Sequence, residues 1–331
     1  MNNLIGKFAK IRSWIIVAVF LGMFGSMAAN AQVPPRFYWK TLQGMNAVPV
    51  IAMSASGNTN PLDPSHNFDP SASLSADVAI AGYAKMLPVW NKAAMLAVLV
   101  PMGRIEGDLL TGGSLSREAS SGFGDLMVEF NINLIGPAPI MNLPDMLRYE
   151  PGFSMDLAVD VAFPLGQYDN TQSLNLGQNR WYGRIGTPIV WQLGPWIPDR
   201  RTTLEIYPSV WIFGDNDDFV GQNLSSDPTF ELETHLTRNF TSKFWGSIDA
   251  TYTSSGDATL GSSTTSGSDM TLAGFTLGYQ LNDSMQLTFG YKSTLNNDSD
   301  ANELQLSTFT ISLTTGWHRL LEGASRLRSG G

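Results

Sequence analysis

Cysteine is absent from this 331-residue chain, and histidine occurs only three times. Without cysteine there is no disulfide and no diacyl-lipid anchor, so the fold is stabilised by other means. Charge is scarce too: 15% of residues are Asp, Glu, Lys or Arg, against about 25% in an ordinary soluble domain. Basic residues number 20 against 29 acidic ones, a net charge of −9 with no basic stripe. That balance excludes nucleic acid as a partner. Long apolar runs are also missing beyond the N-terminus. The longest, Ala93 to Met102, is broken by Pro101, and a spanning helix needs about 20 residues.

What is present begins with an export signal. Lys7, Lys10 and Arg12 form a basic stretch, Trp14 to Met27 an apolar one, and Ala29-Asn30-Ala31 a small-x-small cleavage pattern. Residues 1–31 therefore read as a signal peptide, cut between Ala31 and Gln32. Residues 32–43 follow as a short periplasmic segment, too short for a plug domain, whose Phe37, Tyr38 and Trp39 are suited to tuck into a barrel mouth.

From there on the chain alternates apolar and polar side chains in stretches of about ten residues, the repeat of a transmembrane strand. The clearest is Phe153 to Phe163. Its odd positions are Phe, Met, Leu, Val, Val and Phe, and its even ones include Asp156 and Asp160. Successive strand residues point to opposite faces, so one face is greasy and the other acidic. Twelve strands are expected, near 44–56, 73–86, 93–104, 122–135, 153–166, 181–194, 202–214, 229–240, 243–254, 270–281, 284–295 and 303–316. The apolar parity changes near Ser307-Thr308, which suggests a bulge. Connections at 88–92, 241–242 and 282–283 are tight, while 57–72, 105–121, 167–180, 214–228, 255–269 and 296–302 are longer and polar. Short turns on one side and long loops on the other suit an outer-membrane barrel, with the short side periplasmic. A soluble β-sandwich has no need of that asymmetry. The expected fold is all-β: a transmembrane antiparallel up-and-down β-barrel over 44–317, with a tail at 318–331. Aromatics near strand ends (Trp90, Trp181, Tyr182, Trp191, Trp196, Trp245, Tyr252, Tyr279 and Trp317) suit its interfacial girdles.

Parity places the polar faces inside. Glu231, Glu233 and His235 share one face, and flanking strands add Glu205 and Tyr207 on one side, Trp245, Ser247 and Asp249 on the other. With Asp156, Asp160 and Arg184 they form the expected lumen and substrate path. Carboxylates at Asp77, Asp125 and Glu129 join them and outnumber Lys85, Arg184 and Lys292, so an open pore would disfavour anions. No catalytic residue, metal or cofactor is expected. His235 has no adjacent serine nucleophile and no Gly-x-Ser-x-Gly elbow exists. Asp215 to Asp218 with Asp227 has calcium-like ligand chemistry but lacks the spacing of an EF-hand. The expected partners are outer-membrane lipid, a small-molecule substrate and the barrel assembly machinery.

Several motifs carry a family resemblance. In order they are Arg36-Phe-Tyr-Trp39, Gly44-Met-Asn-Ala-Val-Pro49, Ser56-Gly-Asn-Thr-Asn-Pro61 and Gly122-Phe-Gly-Asp125. Pro164-Leu-Gly-Gln-Tyr-Asp169, Leu176-Gly-Gln-Asn-Arg-Trp181 and Tyr207-Pro-Ser-Val-Trp211 follow, then Asp215-Asn-Asp-Asp-Phe219 and Glu233-Thr-His235. Together they resemble the bacterial outer-membrane family named for the meta-pathway of phenol degradation, over about Arg36 to Trp317. The resemblance implies a transporter-like barrel passing small aromatic or hydrophobic molecules by diffusion. The other reading is a structural or interaction barrel that conducts nothing. One departure is the tail after Trp317, where many such barrels end on an aromatic residue.

Overall fold

A computed structural model describes residues 33–66, 72–111, 114–295 and 304–321. The expected signal peptide and its Ala31/Gln32 cleavage site lie outside these residues, as does most of the C-terminal tail. The wall is a closed barrel of twelve antiparallel strands. In chain order it begins with β1 (Asn46–Gly57), β2 (Ser73–Val89) and β3 (Lys92–Thr111). Next come β4 (Ser114–Phe123), β5 (Leu126–Ile135), β6 (Phe153–Phe163), β7 (Tyr182–Gly186), β8 (Ile189–Gln192) and β9 (Thr202–Phe213). The circuit ends with β12 (Thr229–Asn239), β13 (Phe244–Ser254), β16 (Asp269–Asn282), β17 (Met285–Thr294) and β18 (Leu306–Trp317). Closure is made where β18 meets β1, Asn46 opposite Trp317.

Two of the twelve wall positions are interrupted strands. Thr187-Pro188 splits β7 from β8, because proline has no N–H to give the ladder. Pro188 still accepts from Asp156 N at 2.8 Å. Gly124-Asp125 splits β4 from β5, and β3 pairs with both. Three of the connections expected as long polar loops contain strand instead: 105–121 holds the end of β3 and most of β4, and the other two, 214–228 and 255–269, carry short strands of their own. β10 (Asn216–Phe219), β11 (Gln222–Ser226), β14 (Ala258–Leu260) and β15 (Ser263–Thr265) form a separate four-stranded sheet. The Pro-rich connection at 136–152 holds a short helix, α1 (Leu143–Arg148), capped by Asn142.

Alternation along β6 is complete, every even residue being buried and every odd one at least partly exposed. Ile248, Ile212, Leu236, Ile185 and Phe275 are exposed apolar residues of the outer face. Trp90, Trp181, Trp191, Tyr252, Tyr279 and Trp317 are exposed, as a girdle requires, whereas Trp245 and Tyr182 are buried. The bulge expected at Ser307-Thr308 is absent: β17 and β18 pair without a register shift from Ser307 to Thr315. Leu306 is simply an apolar residue on the inner face. At the tight turn between β2 and β3, Trp90 and Asn91 both have positive φ, 48° and 57°, the geometry of a type I′ hairpin.

This assignment of faces makes an expected result. Val159→Arg should abolish most folded barrel in heat-modifiable gel migration, since a lipid-facing arginine near the midplane costs about 2–4 kcal/mol. Asp160→Asn should leave folding intact. The reverse ranking would invert the faces of β6.

Candidate functional site

The lumen has three sectors of different chemistry. The charged sector is built by β6, β7, β9, β12 and β13. Asp156, Asp160, Arg184, Glu205, Tyr207, Glu231, Glu233, His235, Trp245 and Asp249 are all buried and all on the inner face. Register brings them together, with Glu233 opposite Tyr207 and His235 opposite both Glu205 and Asp249. Arg184 Nη2 lies 2.7 Å from Glu231 and 2.5 Å from Glu233, and its Nε donates to Ser209 Oγ at 2.8 Å. Its guanidinium also stacks 4.0 Å over the Tyr207 ring. His235 Nδ1 meets Asp249 Oδ1 at 2.8 Å, and Asp249 accepts from Ser247 and Thr276 as well.

Residues 33–43 occupy the lumen itself. Val33 N donates to Glu233 at 3.0 Å, and Arg36 N donates to Glu205 at 2.8 Å. Trp39 Nε1 donates to the other Glu205 oxygen at 2.8 Å, and Lys40 pairs with Asp156. The Arg36 guanidinium is sandwiched 4.3 Å from Trp39 and 4.1 Å from Trp245, a favourable cation–π geometry. Tyr38 packs edge-on against Tyr207, with ring centroids 5.3 Å apart. Eleven residues therefore do plug this barrel, contrary to the sequence expectation. They succeed because β9 and β12 supply carboxylates to their backbone and side-chain donors. Gly278 contributes as well: a Cβ there would overlap the Trp245 ring, so only glycine lets that indole lie flat on the wall.

Part of the acidic excess expected of the lumen is met by partners. Glu231 and Glu233 are held by Arg184, Asp156 by Lys40, Glu205 by donors of the plug, and Asp249 by His235 and two hydroxyls. Asp77 and Lys85 are not lumen residues. The even positions of β2 face inward, so both point out and are exposed.

The second sector is apolar and was missed in the sequence. Pro49, Ile51, Ile80, Met86, Met95, Leu99, Pro101 and Met127 from β1, β2, β3 and β5 line the cavity. The third is a hydroxyl wall from β16, β17 and β18, with Thr276, Thr288, Thr308, Thr310, Ser312 and Thr314. Between the plug and the loop end lies a cavity of about 330 Å³. Its roof is an apolar cluster in which loop residues Leu62, Leu174, Leu176 and Leu304 pack on Met53, Ile105 and Leu272. Arg180 ties that roof down, bonding Asp63 at 3.3 Å, Ser65 at 3.1 Å and Ser226 at 2.9 Å. The neighbouring His66 is neutral at pH 7, since burial pushes its imidazole down to about 4.

Ser247 gives its hydroxyl to the same Asp249 oxygen that meets His235. The order of a serine–histidine–acid relay is therefore not present at this point. Among the described residues no group of three or more His, Asp or Glu side chains could hold a metal ion. In the loop considered for calcium, Asn216 is buried and bonds Tyr168 and Gln178, while Asp218 takes Asn170.

Among curated proteins none matches this chain. Among solved structures it is similar to an outer membrane channel from Pseudomonas putida F1, with 17% identity and a TM-score of 0.69, covering 86% of this chain and 100% of that one. The transport unit of the autotransporter AIDA-I from Escherichia coli matches with 8% identity and a TM-score of 0.46, over 87% of this chain and 94% of that one. The Pseudomonas putida toluene transporter TodX matches with 10% identity and a TM-score of 0.40, over 88% and 95%. Residues 54–313 match the family described as "Putative MetA-pathway of phenol degradation", and this chain, an outer-membrane β-barrel, belongs to it.

Proposed function

We propose that this barrel is a passive channel for small aromatic or otherwise apolar molecules, with residues 33–43 as its plug. The observation that carries the reading is the cavity of about 330 Å³ with an apolar wall. A water-filled porin has a polar interior, so a greasy inner wall on β1, β2, β3 and β5 calls for another kind of cargo. The ten charged and aromatic residues from Asp156 to Asp249 then hold the plug in place and border the path. The doubly closed lumen favours one other reading, a barrel that conducts nothing.

Apolar solutes cross a phospholipid bilayer unaided, so liposomes cannot separate these readings. Intact cells can, because their lipopolysaccharide leaflet slows such solutes. Cells expressing the barrel should take up labelled toluene at low external concentration several times faster than cells lacking it. Sucrose uptake should be unchanged. Equal toluene uptake would leave the non-conducting barrel.

A further inference from the structure

Roof and plug do not cover the inner wall equally. The plug lies against β3, β6, β9, β12 and β13, where Met95, Ala97, Ala158, Tyr207, Glu233 and Trp245 are buried. Its anchors Asp156, Glu205, Glu233 and Thr237 stand on that same side. Across the barrel, Gln286, Thr288, Thr310 and Thr314 of β17 and β18 line the cavity and stay partly exposed. Gln286 pairs with Thr314 one residue into β17 from its short turn, and Pro49 and Ala47 of β1, partly exposed too, continue the strip to the periplasmic mouth. At the other end the strip stops, since Leu306, Thr308, Met53 and Ala55 are buried under the roof. A hydroxyl shut away from water needs a partner. Thr276 and Thr308, the buried ones of this wall, have theirs in Asp249 and the Lys292 carbonyl, while the partly exposed hydroxyls face a space that water can enter. Gly290 keeps the strip clear: it faces Thr310, and a Cβ there would come within 2.5 Å of Thr310 Oγ1. The strip is tightest at Ser312, which is 8% exposed.

We infer that this strip is the periplasmic exit of the cavity, a water-filled slot along β17 and β18 that stays open with the plug seated. The inference rests on the channel reading above and assigns the residues past which cargo leaves. The slot has two unlike edges. Pro49 and Ile51 of β1 give an apolar molecule a surface to follow, and the hydroxyls beside them hold the water that it displaces. On this arrangement the plug is a fixed filler of one side of the lumen. The roof is the closed end, and its opening is the movement that passage requires.

The test places single cysteines on β18 of the full barrel in nanodiscs, which expose both ends to a charged, membrane-impermeant methanethiosulfonate reagent. Heat-modifiable migration confirms that each variant is folded. With the plug in place, Thr314→Cys should react fastest and Thr310→Cys next. Thr308→Cys, under the roof, should react at least about tenfold more slowly than Thr310→Cys, because access sets the rate at which a thiol is modified. Reaction of Thr314→Cys alone would end the strip at Ser312 and overturn the inference. Reaction of Thr310→Cys only after deletion of residues 33–40 would mean that the plug seals the whole section, and would overturn it too. Fastest reaction at Thr308→Cys would put the entry at the roof, with the same consequence. No cargo takes part, so each of these results leaves the channel reading to the toluene measurement, and equal toluene uptake would leave the open slot standing.

Discussion

A cysteine placed at Ala158 should be inert to water-soluble thiol reagents in the intact barrel and react rapidly once residues 33–40 are deleted. Ala158 is fully buried on the inner face of β6, in a cluster with Tyr38 and Tyr207, and Phe37 and Trp39 pack on that cluster. The plug is thus what separates this position from water. Because the chain has no native cysteine, a single introduced thiol is the whole signal. The effect is large because the deletion removes an entire layer of packing, including the Arg36–Trp245 stack and both Glu205 bonds. Equal reaction rates with and without the segment would mean that the floor of the cavity is not residues 33–40.

The second large effect belongs to Arg184. Replacing it by Leu strips the counter-charge from Glu231 and Glu233 together, both fully or almost fully buried. Breaking a buried ion pair from one side costs about 3–5 kcal/mol, since the orphaned charge stays in low dielectric. The Arg184→Leu barrel should therefore lose heat-modifiable migration at markedly lower temperature. Adding Glu231→Gln and Glu233→Gln should restore most of the loss, because neutral amides leave no charge stranded. A triple variant as unstable as the single one would assign the role of Arg184 to packing on Tyr207 and Trp211, at 4.0 and 5.2 Å.

The readable part of this barrel was the part with contrast between its faces. On β6, β9, β12 and β13 a greasy outer face alternates with carboxylates, His235 and Trp245, and parity sorted those residues correctly. On β1, β2 and β3 the inner face is itself apolar, so period-2 patterning carries no sign there. Asp77 and Lys85, the charged residues of β2, read as inward for that reason alone, and Leu306 imitates a bulge in the same way. Residues 33–43 failed differently. They have no strand periodicity, and their bonds to Glu205 and Glu233 depend on a closed ring that local pattern cannot show. The one hint was density: Pro34-Pro35 and Phe37-Tyr-Trp39 are too rigid and too aromatic for an idle connector.

Val33, Arg36 and Trp39 find their partners 200, 169 and 166 residues further along the chain. Contacts of such separation form late, since the intervening loop must lose its entropy before they are rewarded. The first described residues of the protein are thus among the last to settle, after β9 and β12 exist and are paired. Until then Arg36 and Tyr38 have no Glu205, Trp245 or Tyr207 to pack against. Their disappearance into the lumen marks a barrel that has finished folding, and a half-built one keeps that flag raised.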